Sequence, residues 1–145
     1  MTRRKKIGLW IIAAIFVPIL VYLALLISFF IRFPIRDPER LKALNAEARV
    51  LIAKKFVPTK KWTEGANNVF DNGNIDLRKS DWPPAIASLS PEIVTVEPGR
   101  SVEIITVVYF DGGWGYDIVP GGGEPPMPIE CYEKLGWGIY WHGPC

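Results

Sequence analysis

The chain has 145 residues, 49% of them hydrophobic, and a formal net charge of +2, which leaves room for one modest domain. The charge is unevenly divided: residues 32–61 carry nine basic and three acidic side chains, whereas 62–145 carry four basic and twelve acidic. An acidic distal part would repel phosphate, so nucleic acid is excluded as a partner.

Residues 1–6 hold the basic block Arg3, Arg4, Lys5 and Lys6, and residues 7–31 follow without a charge, with Tyr22 and Ser28 as their only polar side chains. As a helix this run would reach about 37 Å, against a hydrocarbon core of about 30 Å. It ends in Phe29, Phe30 and Ile31, bulky where a signal peptidase needs small residues, so it is predicted to remain as a transmembrane anchor. Pro18 inside the run predicts a kink. The first basic block is undiluted by acid, whereas Arg32, Arg36 and their neighbours are interrupted by Asp37 and Glu39. That asymmetry predicts a cytoplasmic tail at 1–6 and an extracytoplasmic domain at 32–145. The basic residues on both sides of the anchor would attract anionic headgroups, which makes membrane lipid an expected partner.

Beyond the anchor, Asp37-Pro38 reads as an N-cap followed by a proline at the first helical position. Leu41, Leu44, Ala48, Leu51, Ile52 and Phe56 then recur at helical spacing, which predicts an amphipathic helix over 38–56. Residues 59–80 have no periodicity and read as a loop pinned by Trp62, Val69, Phe70 and Leu77. Its Asp71, Asn72, Asn74 and Asp76 do not make a calcium loop, because the glycine stands third and Trp82 occupies the twelfth position. Asp81-Trp82-Pro83-Pro84 starts a helical turn reaching Leu89.

From there the pattern changes to strand. Residues 92–96 are β-branched, and Glu97-Pro98-Gly99-Arg100 matches a type II turn. Residues 102–110 are apolar on both faces, as a central covered strand would be. Asp111-Gly112-Gly113 signals a hairpin whose return strand runs over 114–119. After the loop of Gly121, Gly122, Gly123 and the prolines 125, 126 and 128, a last strand is expected at 137–142. The fold expected is α+β: the N-terminal transmembrane helix, the amphipathic helix, and a roughly four-stranded antiparallel meander over 92–142.

No motif for catalysis, a cofactor or a metal is present. His142 is the sole histidine, and the glycines open no helix and precede no lysine, so they form no phosphate-binding loop. Cys131 and Cys145, the only cysteines, are expected to pair as a disulfide, which removes the sole thiol nucleophiles. Asp111 and Asp117 read as a turn residue and a strand-face residue rather than a hydrolytic pair. The feature left is aromatic: Trp114, Tyr116, Trp137, Tyr140 and Trp141, with Glu124, Glu130 and Glu133 nearby. Core packing is one reading of it; an acidic-rimmed binding surface for a protein or glycan is the other.

The segment Trp82-Pro-Pro-Ala-Ile-Ala-Ser-Leu-Ser-Pro-Glu-Ile-Val-Thr-Val, with the ending Leu135-Gly-Trp-Gly-Ile-Tyr-Trp, resembles a diffuse set of uncharacterised bacterial envelope proteins anchored by a single membrane pass. The resemblance covers about 82–142, and its motifs are structural. It implies a bacterial inner-membrane setting and no activity. An architectural likeness to type IV pilins also exists, but the chain lacks a glutamate early in its hydrophobic run, and Pro34 and Pro38 would break a continuous helix. The expected function is therefore binding of a protein partner in the envelope, as an accessory or immunity-type protein and not an enzyme. Binding of a small ligand or glycan is the alternative.

Overall fold

The structure, a computed structural model, describes residues 16–24, 33–56, 67–70, 73–109 and 112–145. It divides into two compact units, residues 1–33 and 34–145. In the first unit, 16–24 is helical and contains Pro18. Among the described residues no helix is long and apolar enough to cross a membrane. Residues 7–15 and 25–31 of the expected anchor lie outside the described residues, as do Arg3, Arg4, Lys5, Lys6, Arg32, Trp62, Asp71, Asn72, Phe110 and Asp111.

The second unit is α+β. Its long helix, α1 (Pro38–Ala53), starts as the sequence requires, with the Asp37 carboxylate accepting the Glu39 amide at 3.0 Å and proline in the first turn. Leu41, Leu44, Ala48 and Leu51 form its buried stripe, each leucine contributing about 1.5–3 kcal/mol by leaving water. The helix ends at Ala53 rather than at Phe56. A short second helix, α2 (Pro84–Ala87), is held to the first by Glu47, whose two carboxylate oxygens accept the Ala85 and Ile86 amides at 2.9 and 3.0 Å. That carboxylate satisfies amides at the helix start that have no partner inside the helix.

Seven antiparallel strands make one sheet: β1 (Asn68–Val69), β2 (Ile75–Asp76), β3 (Ile93–Glu97), β4 (Ser101–Tyr109), β5 (Gly112–Ile118), β6 (Tyr132–Gly136) and β7 (Ile139–His142). Their spatial order is β1-β2-β3-β4-β5-β7-β6. The chain meanders as far as β5, then passes over 119–131 to the far edge and returns inward, so β7 lies between β5 and β6. The turn after β3 has Gly99 at φ +78° and a hydrogen bond from the Arg100 amide to the Glu97 carbonyl at 3.0 Å, as a type II turn demands. Valines 94, 96 and 102, isoleucines 104, 118 and 139, Tyr116 and Trp141 face α1 and complete the core.

Three expectations need correcting. The sheet has seven strands and not four. β1 and β2 are two residues each, too short to leave a period, and β6 carries Glu133 and Lys134 because it is an edge strand with solvent beside it. Residues 137–138, expected in the last strand, instead turn the β6–β7 hairpin, with Trp137 at φ +50°. Finally, the alternation expected along β4 breaks at a bulge between Ile105 and Val107, where Thr106 donates its hydroxyl to the Trp114 carbonyl at 2.9 Å. Beyond the bulge Val108 is exposed.

Candidate functional site: a polar cleft on the second face of the sheet

Strand alternation sends every residue between two core residues to the face away from α1. On β4 that residue is Glu103, between Val102 and Ile104; on β5 it is Asp117, between Tyr116 and Ile118. The register aligns Asp76, Thr95, Glu103, Asp117 and Tyr140 in one line across five strands. His142 and Tyr132 pair with each other in the next line. Gly115 stands opposite His142, and a Cβ there would collide with the Ile104 carbonyl and press on the imidazole. The glycine therefore makes the room that the histidine occupies.

Thr95, Glu103 and Asp117 of the five-strand line border a cleft of about 320 Å³, lined also by Asn74, Ser101 and Pro126, with Glu97 and Arg100 at the β3–β4 turn. The segment 119–131 closes one wall. It is tied down where the Met127 amide donates to the Tyr132 hydroxyl at 3.3 Å, and that hydroxyl in turn donates to Asp117 Oδ2 at 2.5 Å. Asp117 is 2% exposed and His142 is 3% exposed, with His142 Nε2 3.8 Å from Asp117 Oδ2. Neither Asp117 Oδ1 nor His142 Nε2 has a hydrogen-bond partner.

Burial sets the electrostatics. It raises the Asp117 carboxyl to about 6, against the lowering effect of the Tyr132 hydrogen bond. It also raises Glu103, which the neighbouring Asp117 pushes further in the same direction. Burial pulls His142 below its ordinary value, so at pH 7 the imidazole is neutral and supplies no charge. Glu103 and Asp117 thus stand directly opposite each other as like-charged neighbours, an arrangement that destabilises a sheet. The two hydroxyls of the cleft are engaged, and Arg100 is paired. Thr95 donates to Asp76 at 2.8 Å, Ser101 donates to Glu97 at 3.2 Å, and Arg100 pairs with Glu97 at 3.0 Å. No described group of three His, Cys, Asp or Glu is placed to hold a metal ion.

Of the two readings of the aromatic cluster, core packing describes most of it. Tyr116 and Trp141 are 2% and 6% exposed on the core face, 4.8 Å apart between centroids, and Trp114 stacks on Trp141 at 5.9 Å. Tyr116 also takes the Ile35 amide at 3.0 Å, fixing the chain as it enters the domain. Tyr140 is buried on the opposite face beside Tyr132. Of the five, only Trp137 is largely exposed, at the hairpin turn. A small sheet needs these rings to fill its core, and that need decides their placement. Glu124 and Glu130 are exposed on the 119–131 segment, and Glu133 pairs with Arg36 at 2.7 Å. Cys131 and Cys145 stand at disulfide distance, 5.7 Å between Cα atoms, within the usual range.

Of the cleft residues, Asp117 is singled out by the sequence and Glu103 is missed, although a signal for it exists. A lone carboxylate inside each of two neighbouring apolar strands is a signal, and the hairpin between those strands brings the two into register. No family model, curated protein or solved structure matches the chain, so the site is read from its own geometry.

Proposed function

We propose that the chain is a membrane-anchored envelope domain that works by binding, and that a ligand enters the cleft between 119–131 and the sheet. One observation carries the reading: an open cleft is lined by Asp117, whose Oδ1 is buried with no partner, although burying such a group unpaired costs several kcal/mol. A group from outside the chain is one way in which such an atom is completed. Binding rather than turnover is favoured because Ser101 donates its proton to Glu97, away from His142, and the two cysteines face each other. The uncharged 25-residue run supports the anchor, and the undiluted block Arg3, Arg4, Lys5 and Lys6 supports a cytoplasmic N-terminus in a bacterial inner membrane. The cysteine pair at bonding distance supports an oxidising compartment for the domain.

The test uses full-length protein in nanodiscs and a panel of cationic, neutral and anionic small molecules. At least one should raise the thermal melt of wild type and leave T95W, whose indole fills the cleft, unmoved. A panel without effect on wild type overturns the reading. A second reading, proton transfer to the bound molecule, is favoured by the Asp117 carboxyl at about 6. Chemical conversion of that molecule by wild type and not by D117N would establish it.

A further inference from the structure

We infer that the cleft is built for an ammonium or guanidinium group, received between Glu103 and Asp117. The inference rests on the cleft being a ligand site and deepens it by naming the chemistry. The hydroxyl and charged side chains around the cleft can be counted. The hydroxyl protons of Thr95, Ser101 and Tyr132 are all donated within the chain, and the Arg100 guanidinium is held by Glu97. Two carboxylates of the lining are left without a cation: that of Asp117, whose Oδ1 is buried and unpartnered, and that of Glu103, which makes no hydrogen bond or ion pair among the described residues; Asn74, which also lines the cleft, is an uncharged amide.

A ligand that brought further negative charge, such as a carboxylate or phosphate, would meet two carboxylates and no cation other than Arg100, which already pairs with Glu97. A ligand that brought N–H donors and a positive charge would satisfy both carboxylates at once. It would also remove the repulsion between two like charges placed opposite each other across β4 and β5. Hydrogen bonds between ionised partners are about twice as strong as neutral ones, so the missing group is better supplied as a cation than as a neutral donor.

An inorganic divalent cation is a poorer fit. It prefers six or more oxygen ligands, and no described cluster of three metal-ligating side chains exists here. The imidazole does not substitute for the cation either, since burial keeps it neutral at pH 7 and its Nε2 lies 3.8 Å from Asp117. At about 320 Å³ the cleft sits at the lower end of ligand pockets, a size for a small amine or for the end of one lysine or arginine side chain.

The experiment titrates full-length protein in nanodiscs at pH 7.5 with methylammonium, putrescine and guanidinium, with acetate and glucose alongside. The same titration is made with N-acetyl-lysine amide and N-acetyl-arginine amide. The cations should bind, and D117N and E103Q should each weaken them by about tenfold or more, the loss of one charge-assisted hydrogen bond. Both variants keep side-chain shape, and their melts report whether they fold. Tighter binding of the capped amino acids than of the simple cations would assign the group to a polypeptide partner, and the reverse to a free amine. Cations that bind both variants as tightly as wild type overturn the inference. Acetate or glucose binding wild type and not T95W, with no cation binding, overturns the inference and leaves the cleft a ligand site. No binding by any probe overturns both.

Discussion

Asp117 couples the stability of the domain to pH in a direction opposite to that of most carboxylates. Its folded value of about 6 lies above the ordinary 3.8, so between these values the folded state binds more protons than the unfolded one. Stability is then greatest below about pH 4 as far as this group is concerned, and falls as pH rises toward and past 6. Two units correspond to roughly 3 kcal/mol. D117N cannot ionise and still offers an oxygen to Tyr132. Without ligand it should melt well above wild type at pH 8 and close to it at pH 4; equal melts at both pH values would show that this carboxyl is not strained. His142, lowered by burial, has the opposite slope, losing stability as pH falls through its ordinary value of about 6.5. Both proteins share it, so the difference between them reports Asp117 together with its repulsion of Glu103. Y132F removes the donor to Asp117 and the acceptor for Met127 together. It should cost about 1–3 kcal/mol, measured by denaturant titration at pH 7, and should raise Asp117 further. A loss below about 0.5 kcal/mol would show that 119–131 does not depend on this hydroxyl. At this scale the sequence was legible only in part. Asp117 and His142 were both visible as singular residues, but Glu103, Asp117, Tyr132 and His142 come from four strands, and their meeting depends on a register that the Thr106 bulge shifts by one.

The helix was legible because its period is long and its start is written twice, in Asp37 and in Pro38. Its buried leucines touch the core valines of β3 and β4, so L44D would place an unpaired charge at a position 1% exposed. That variant should fail to give a cooperative melt; retention of the wild-type melt would mean that the stripe packs elsewhere. The strands sort by length. β3, β4 and β5 carry five or more residues and were found within about two residues of their ends. β1 and β2 carry two residues each and owe their existence to β3, whose edge they extend. β6 escaped for a different reason, since its charges sit where an edge strand needs them and its turn, Gly136-Trp137-Gly138, looked like the interior of an aromatic strand.

The sequence joins a basic part, residues 32–61, to an acidic one, residues 62–145, and the Arg36–Glu133 pair shows one bond between them. If the anchor is oriented by its first four cations, protease added to intact spheroplasts should remove the domain, and full protection would reverse the topology. In protein from that compartment, mass spectrometry without reductant should find Cys131 linked to Cys145. The bond would close a loop of about 15 residues, worth roughly 3 kcal/mol on the chain-entropy account. Two free thiols would remove the bond and weaken the topology with it.

The strand order has a consequence for the chain as it leaves the ribosome. β5 emerges with one open edge, and the next strand to appear is β6, which is not its partner. The true neighbour, β7, begins twenty-one residues after β5 ends. For that interval the exposed backbone of β5 can be taken by the wrong segment, and the domain must either wait or undo a premature pairing. The nascent β6 carries Glu133 and Lys134, which disfavour its settling against an apolar strand. The charges that hid this strand from a reading of the sequence thus help to keep the place beside β5 vacant until β7 arrives.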